Sequence, residues 1–488
     1  MFDPFEKSIS EIAGAFERGE TTSQALVDYY LRRIERFDKA GPAFNSILMV
    51  NPNARSEAVQ LDAKRKEGKA KGPLYGLPLL VKDNANTFDM PTTSGCKALA
   101  DFRPRKDAFV IAKLREAGAI LLAKTTLSEF AKHGLSCGSL FGQTKNPYDL
   151  TRTPGGSSGG NGAAISANFG IAGIGSDTMN SVRSPCSACC IVGMRPTTGL
   201  WSRTGFLPMS DLQDTAGPMT RTVADIGVLL EACQGYDPAD PISAQQIGFA
   251  GKSYGDCLKK DGLNGKRIGM LLTNFGKDAD VQAAMENSMR IMREMGARLV
   301  NIDVPEFETK SVYRDYDVQI YETEPLIDRY FIENNAPVSS LRELVKLGVA
   351  DKYAQPLLER CVSIENPLEQ PDYFRRKCNI QKLRELCFDV MAGNNLDAMC
   401  YPHQQILAVK IGADSQAGRN GIFASIIGFP AITLPGGFSR PDRDAPLGIP
   451  IGIEFLARPW NEPLLIQIGY SFEQASQFRK YPQSAPPL

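Results

Sequence analysis

The chain has 488 residues, and neither its composition nor its charge marks a special class of protein. Hydrophobic residues make up 43% and charged residues 23%, which is typical of a globular protein with a sizeable core and excludes a largely disordered chain. Lys and Arg number 55 and Asp and Glu also number 55, so no net field would attract nucleic acid or an acidic membrane surface. We therefore expect a small, largely neutral molecule as substrate and neither nucleic acid nor a membrane as partner.

The N-terminus and the cysteines bear on location and on metal binding. Residues 1–6 lack the basic and apolar segments of a secretory signal, and no apolar run approaches the roughly 20 residues that span a bilayer. Eleven cysteines form an odd and sparse set, which favours a reducing compartment, so we predict a cytoplasmic protein. Cys186 and Cys189 form a C-x-x-C, but two histidines and no second cysteine pair argue against structural zinc, and we expect no metal site.

The first half of the chain alternates between helical and strand patterns. Residues 22–38 have apolar positions at helical spacing behind a Thr-Ser start. Residues 76–82 read as a short buried strand that ends on Lys82, and a helical pattern over 107–118 precedes another buried strand over 119–123. This alternation predicts an α/β protein with a sheet covered by helices on both faces.

The remaining segments predict one interrupted domain, since no internal repeat is present. A glycine-serine loop over 153–162 opens into a small-residue helix, and a polar turn over 175–185 contains Ser181. Residues 280–400 are helical in period and read as a cap or insertion. The returning strands and the last helix are expected at 397–402, 429–435 and 462–478.

Three features of the sequence together resemble the amidase signature family of serine hydrolases. They are the G-G-S-S-G-G block at 155–160, the segment G-S-D-T-M-N-S-V-R-S-P at 175–185 and Lys82 upstream of both. The resemblance implies a central twisted mixed β-sheet with helices on both faces in a single domain, 1–488. Its core would cover about 60–235 and 395–470, with a helical insertion at about 280–395.

The resemblance also implies a set of roles. Ser181 would be the nucleophile, Ser157 would relay its proton and Lys82 would be the general base. A serine hydroxyl needs a base, and a lysine can serve when burial lowers its pKa toward neutrality. A Ser-His-Asp triad would have to use His133 or His403, neither of which lies in a motif of that kind.

The oxyanion site is implied at the backbone N–H groups of Thr178, Met179 and Asn180. Here the sequence departs from the family, since most members have Gly-Gly at 179–180 and methionine does not tolerate φ > 0 as glycine does. We expect the turn to be retained, with Met179 adding an apolar wall to the site. The competing interpretation is that Met179 distorts the oxyanion site and slows the enzyme.

Further positions near these residues are expected to support the turn or to line the substrate pocket. Asp177 and Arg183 flank the turn and are expected to pair with each other or with backbone groups, and Ser158 is expected to support the site. The loop 130–138 corresponds to a segment that lines the substrate cavity in the family. Its candidates for the pocket are His133, Gly134 and Cys137.

Three functions follow from these observations. The first is an amidase that cleaves the C–N bond of a small linear amide through an acyl-enzyme, without metal or organic cofactor, and that can form a homodimer. The second is the glutamine-hydrolysing A subunit of a tRNA-dependent amidotransferase, although Ala417-Gly418-Arg419-Asn420 lacks the carboxylate expected there. The third is a catalytically silent scaffold of the same fold.

Overall fold

The structure is a computed structural model that describes residues 2–251 and 253–488. Thirteen strands lie in these ranges: β1 Ile47–Val50, β2 Pro78–Lys82, β3 Ile120–Thr125, β4 Cys137–Gly138, β5 Gly142–Gln143, β6 Ala172–Asp177, β7 Val192–Arg195, β8 Thr215–Thr220, β9 Arg267–Leu271, β10 Arg298–Ile302, β11 Ala398–Pro402, β12 Ala431–Phe438 and β13 Pro450–Leu456. Fifteen α-helices lie in the same ranges: α1 Ile9–Glu17, α2 Ser23–Arg33, α3 Ala54–Lys66, α4 Phe109–Glu116, α5 Gly159–Ser166, α6 Arg183–Ala188, α7 Val223–Cys233, α8 Ala279–Glu294, α9 Thr309–Tyr316, α10 Gln319–Glu333, α11 Leu341–Lys346, α12 Ala354–Val362, α13 Pro371–Gly393, α14 Ile422–Ile427 and α15 Glu462–Ser476.

The centre of the molecule is a mixed sheet of eleven strands within the described ranges, in the order β1-β3-β2-β6-β8-β7-β12-β13-β11-β9-β10. Strands β3, β2 and β6 run parallel to one another, whereas β8, β7, β12 and β13 form antiparallel pairs along the middle of the sheet. Strands β4 and β5 form a separate pair. The prediction of an α/β protein with a mixed sheet flanked by helices is confirmed.

The strands next to the predicted lysine are buried along their whole length. Every residue of β2 and β3 is buried, which follows from their continuous apolar runs and from the helices that pack on the sheet. Because β2 and β6 are parallel neighbours, their carboxyl ends lie at the same edge of the sheet. This arrangement brings the end of β2, Lys82, close to the turn that follows β6.

Helix α5 packs closely on the sheet because its first turn is rich in glycine. A Cβ on Gly160 would lie 2.3 Å from the carbonyl oxygen of Thr126, so no side chain fits there. Helix α5 follows the glycine-serine loop directly. The short distance between α5 and the sheet therefore fixes the position at which that loop ends.

The stretch expected to be helical, 280–395, holds helices α8 to α13 and also strand β10. Strand β10 pairs in parallel with β9 and forms one edge of the sheet. Helices α9 to α13 form a continuous helical stretch after that strand and pack in part on α14. The division of the chain into a core and a helical insertion stays a prediction.

Candidate active site

The predicted base, Lys82, ends strand β2 in the interior of the protein. Lys82 is 0% exposed, and its Nζ lies 2.7 Å from Ser157 Oγ and 2.8 Å from Ser176 Oγ. Burial lowers the pKa of Lys82 from 10.5 to about 7, although the carboxylates of Asp177 and Asp214 act in the opposite direction. An amine with such a pKa can accept a proton near neutral pH.

Two residues beside Lys82, Ser176 and Asn84, were not predicted from the sequence as parts of the site. Ser176 accepts a hydrogen bond from Lys82, and the amide of Asn84 donates to the same Ser176 Oγ at 2.9 Å. Both therefore help to fix the position of Lys82. The only signal in the sequence was their position at the ends of β6 and β2, where polar residues follow apolar ones.

The glycine-serine loop packs tightly beside Lys82. The Gly156–Ser157 peptide bond is cis, and Ser157 is 0% exposed. A Cβ on Gly156 would lie 2.7 Å from Ser128 Oγ and 2.8 Å from the carbonyl carbon of Gly134, so only glycine permits this approach. The N–H of Ser128 donates to the carbonyl of Ser157 at 2.9 Å, which anchors the loop next to the lysine.

The turn after β6 carries Ser181 at the edge of a cavity. The N–H of Val182 donates to Asp177 Oδ2 at 3.1 Å, and the N–H of Ser158 donates to the carbonyl of Ser181 at 3.0 Å. The second bond holds the two serine segments side by side. Ser181 is 6% exposed and lines a cavity of about 380 Å³.

Unpaired backbone donors surround Ser181. Within residues 2–251 and 253–488, the N–H groups of Met179, Asn180 and Ser181 donate to no protein acceptor. Thr178 is held through its hydroxyl, which donates to Asp214 Oδ1 at 2.6 Å. A row of free N–H groups next to a nucleophile is the arrangement that an oxyanion site requires.

The backbone at Met179 and Asn180, where most family members have Gly-Gly, is not left-handed. Neither residue has a positive φ, so the side chains cause no strain of that kind. Met179 lines the cavity and packs in one apolar cluster with Val318 of the helical stretch. Gln213 connects the two, because its amide lies 3.0 Å from Met179 Sδ and accepts a hydrogen bond from the N–H of Val318.

Asp177 and Arg183 form a buried ion pair, as their positions in the motif indicated. Arg183 Nε lies 3.1 Å from Asp177 Oδ2, and its Nη1 lies 2.5 Å from Glu454 Oε1 on β13. Burial would raise the pKa of Asp177, but the guanidinium groups of Arg183 and Arg195 outweigh it and hold that pKa well below its usual range. Arg183 and His403 likewise lower the pKa of Glu454 to about 2 despite its burial, so both carboxylates are ionised and hold the turn against the sheet.

This ion pair belongs to a larger buried network that the sequence did not reveal. Glu454 also accepts from Thr433 and pairs with His403 Nδ1 at 2.6 Å, and Ser425 donates to the carbonyl of Met179 at 2.6 Å. The members come from β12, β13, α14 and the residue after β11, all far along the chain. No local pattern relates them to the turn, so only the folded structure could reveal them.

The three pocket candidates have different surroundings. His133 lines the cavity, and its Nε2 lies 3.2 Å from Asp351 Oδ2. Gly134 packs between Gly156 and the side chain of Arg419. Cys137 lies in β4 and is not among the described residues that line the cavity, and burial raises the pKa of its thiol to about 11.

The helices bear on the expected location of the protein. Over residues 2–251 and 253–488, no helix combines the length and the apolar character needed to cross a bilayer. The cytoplasmic location stays a prediction.

The chain matches known proteins over nearly its whole length. The family model described as Amidase matches residues 25–466. The A subunit of glutamyl-tRNA(Gln) amidotransferase from Synechococcus sp. strain CC9605 is 32% identical, with 99% of each chain covered.

Solved structures give the same result. The peptide amidase of Stenotrophomonas maltophilia is 34% identical and superposes with a TM-score of 0.90, over 99% of each chain. An amidase family protein of Bacillus anthracis strain Ames is 29% identical with a TM-score of 0.87, over 98% of this chain and 92% of the other. Sequence and structure together therefore show that the chain belongs to the amidase family.

Proposed function

We propose that the protein hydrolyses the C–N bond of an amide through an acyl-enzyme formed on Ser181. The observation that carries the proposal is the 2.7 Å contact between Lys82 Nζ and Ser157 Oγ, in a site where burial lowers the pKa of the lysine to about 7. The hydrogen bond between Ser158 and Ser181 adds support, because it keeps the two serine segments adjacent. A lysine base and two serines supply the proton transfers that acyl transfer needs.

In the first half of the reaction, Ser181 Oγ attacks the amide carbonyl carbon. Its proton passes to Ser157 Oγ, whose own proton passes to Lys82 Nζ. The negative charge that develops on the carbonyl oxygen is stabilised by the free N–H groups of Met179 and Asn180. When the C–N bond breaks, the proton returns along the same path to the leaving amine.

In the second half, water replaces the amine. It gives a proton to the Ser157 and Lys82 pair, attacks the ester carbon of the acyl-enzyme and releases a carboxylic acid with Ser181 restored. Each proton taken up by Lys82 is thus returned within one cycle. No step needs a group beyond the protein and water.

The experiment that tests this proposal is labelling with a fluorophosphonate, which reacts with activated serines. We expect wild type to take up one equivalent and Ser181→Ala to take up none. Ser157→Ala should label about 100-fold or more slowly, the usual loss when a proton relay is removed. Ser158→Ala is the matched control, because its hydroxyl donates to the Ser176 carbonyl at 3.3 Å, whereas the hydrogen bonds of Lys82 in the described chain go to Ser157 and Ser176.

We expect the Ser158→Ala variant to label within about threefold of wild type, since a neutral hydrogen bond of this kind contributes little. Equal labelling of wild type and Ser181→Ala would contradict the proposal. Absence of labelling and of amide turnover in wild type would favour the silent scaffold instead.

The second candidate is the A subunit of an amidotransferase, favoured by relatives of that name with 32% identity over nearly the whole chain. Against it stands the similar identity, 34%, to a solved peptide amidase. Glutaminase assays decide between the two. Hydrolysis of glutamine that rises when partner subunits and tRNA are added would support the amidotransferase, and turnover of simple amides by the isolated chain would support the amidase.

A further inference from the structure

The cavity beside Ser181 has a strongly basic wall. Five of its lining side chains are cationic, and within the described chain Asp317 is the only lining carboxylate. The cations are Lys132, Arg314, Arg360, Arg376 and Arg419. The expectation of a largely neutral substrate, drawn from the overall charge balance, does not account for this local excess.

Three of these cations already have partners. Arg314 pairs with Asp315 at 2.6 Å, and Arg376 pairs with Asp372 at 2.7 Å. Lys132 donates to the hydroxyl of Thr323 at 2.6 Å. The two arginines are therefore neutralised by carboxylates of the protein, whereas Lys132 has one of its three N–H donors bonded to a neutral hydroxyl.

The two others differ in exposure. In the part of the chain that the structure describes, neither the Arg360 nor the Arg419 side chain donates a hydrogen bond or forms an ion pair, although the charge of Asp317 in the same wall acts on Arg419. Arg360 is exposed, so water solvates it, whereas Arg419 is only partly exposed. A partly buried guanidinium without a hydrogen-bonded anion is costly unless something else binds it.

The position of Arg419 is fixed although its guanidinium is free. The neighbouring Asn420 donates to the carbonyl oxygens of Asn274 and Pro402 at 2.6 and 2.7 Å, and accepts from Thr309. These bonds anchor the backbone on which Arg419 stands. The backbone of Arg419, from which the side chain extends into the cavity, therefore has a fixed position.

Arg419 also lies near the catalytic loop. Its Nη1 is 3.3 Å from the place that a Cβ on Gly134 would take, and Gly134 in turn packs on Gly156, next to Ser157. Arg419 and Ser181 line the same cavity. A substrate acylating Ser181 can therefore extend to the guanidinium.

We propose that the amide substrate carries a carboxylate and that Arg419 binds this carboxylate while the amide lies at Ser181. The assignment rests on the proposed amide hydrolysis and names its substrate class. A guanidinium can donate two parallel hydrogen bonds to a carboxylate, which orients as well as holds it. Burial lowers the pKa of Arg419, and a bound anion would offset that effect.

Binding to a protein that lacks the nucleophile tests the proposal. Ser181→Ala protein is titrated by calorimetry with succinamate and glutaramate, which carry an amide and a carboxylate, and with butyramide, which is neutral. We expect either acid to bind at least roughly tenfold more tightly than butyramide, the contribution of hydrogen bonds between charged groups. Adding Arg419→Gln should remove this difference.

Two further variants sharpen the test. Arg314→Gln, in the same wall but paired with Asp315 and exposed, should leave the binding of the acids within about threefold. Arg419→Lys, which keeps a positive charge, should retain part of the preference and shows that a loss in Arg419→Gln is not a loss of folding.

Butyramide binding as tightly as the acids, or no binding of any of the three, would overturn the proposal, as would an unchanged preference in Arg419→Gln. None of these outcomes depends on turnover. Failure of the proposed hydrolysis appears instead as unlabelled Ser181 in the fluorophosphonate experiment, so the two failures are distinguishable.

Discussion

Replacing Lys82 with methionine separates two effects of the buried amine, which are its cost in folding free energy and its proposed role as the catalytic base. Methionine has a similar shape and length but carries no charge, and it fits the buried end of β2. The substitution removes the group that we propose as the base. It also removes an amine whose charged form is disfavoured by burial, so the variant should be inactive and more stable than wild type.

The size of the stability effect follows from the pKa of Lys82, which falls from 10.5 in the unfolded chain to about 7 in the folded protein. This difference corresponds to roughly 5 kcal/mol of folding free energy, at about 1.4 kcal/mol for each step of one in pKa. The lost hydrogen bonds with Ser157 and Ser176 offset about 1 kcal/mol each. We therefore expect the Lys82→Met protein to be about 2 to 3 kcal/mol more stable than wild type at pH 7.

The same two pKa values of Lys82 determine whether the stability of wild type rises or falls with pH. Between pH 7 and 10.5 the unfolded chain holds a proton on Lys82 that the folded protein does not, so wild type gains stability as pH rises through this window. The advantage of Lys82→Met should therefore shrink by about 2 kcal/mol between pH 7 and pH 9.

The assay is urea unfolding of both proteins at pH 6, 7, 8 and 9, followed by tryptophan fluorescence and circular dichroism. Fluorophosphonate labelling of Ser181 across the same pH range gives the catalytic measurement, and the rate for wild type should rise with a midpoint near pH 7. A stability difference that does not change with pH, or wild-type labelling that is as fast at pH 5 as at pH 8, would refute the role given to Lys82.

Two further predictions concern the turn around Ser181. Arg183→Met removes the guanidinium that joins the buried carboxylates of Asp177 and Glu454, leaving Arg195 beside the first and His403 beside the second, and should lower the free energy of unfolding by about 3 kcal/mol. Urea denaturation measures this loss, and a value below about 1 kcal/mol would contradict the network. Met179→Gly removes a buried wall of the cavity and should cost about 2 to 5 kcal/mol of stability while widening the range of acyl groups accepted in a panel of amides. Met179→Leu is its control and should keep the wild-type range, because it conserves the apolar volume; an unchanged range in Met179→Gly would argue against the wall.

Local sequence patterns predicted most of the elements that position the site. The apolar run 76–82 became β2, the run 119–123 became most of β3, and the helical pattern of 107–118 became α4. These predictions were confirmed because a buried strand or an amphipathic helix depends on the periodicity of a few neighbouring residues. The helical period of residues 280–400 concealed β10, since a short edge strand has too few residues to establish a period of its own.

The resemblance of segments 155–160 and 175–185 to the amidase signature family was sufficient to nominate Lys82, Ser157 and Ser181. The chemistry is consistent with these roles, because a buried lysine can serve as a base. What the sequence could not determine is which side chains meet across the sheet. Ser176 reaches Lys82 and Glu454 reaches Arg183 only because strands distant in sequence are neighbours in space. The charge of the cavity was hidden for the same reason, since Arg419 joins residues of the helical stretch at one wall only in the folded protein. Composition records a sum over the whole chain, whereas binding depends on the few groups that the tertiary structure places together.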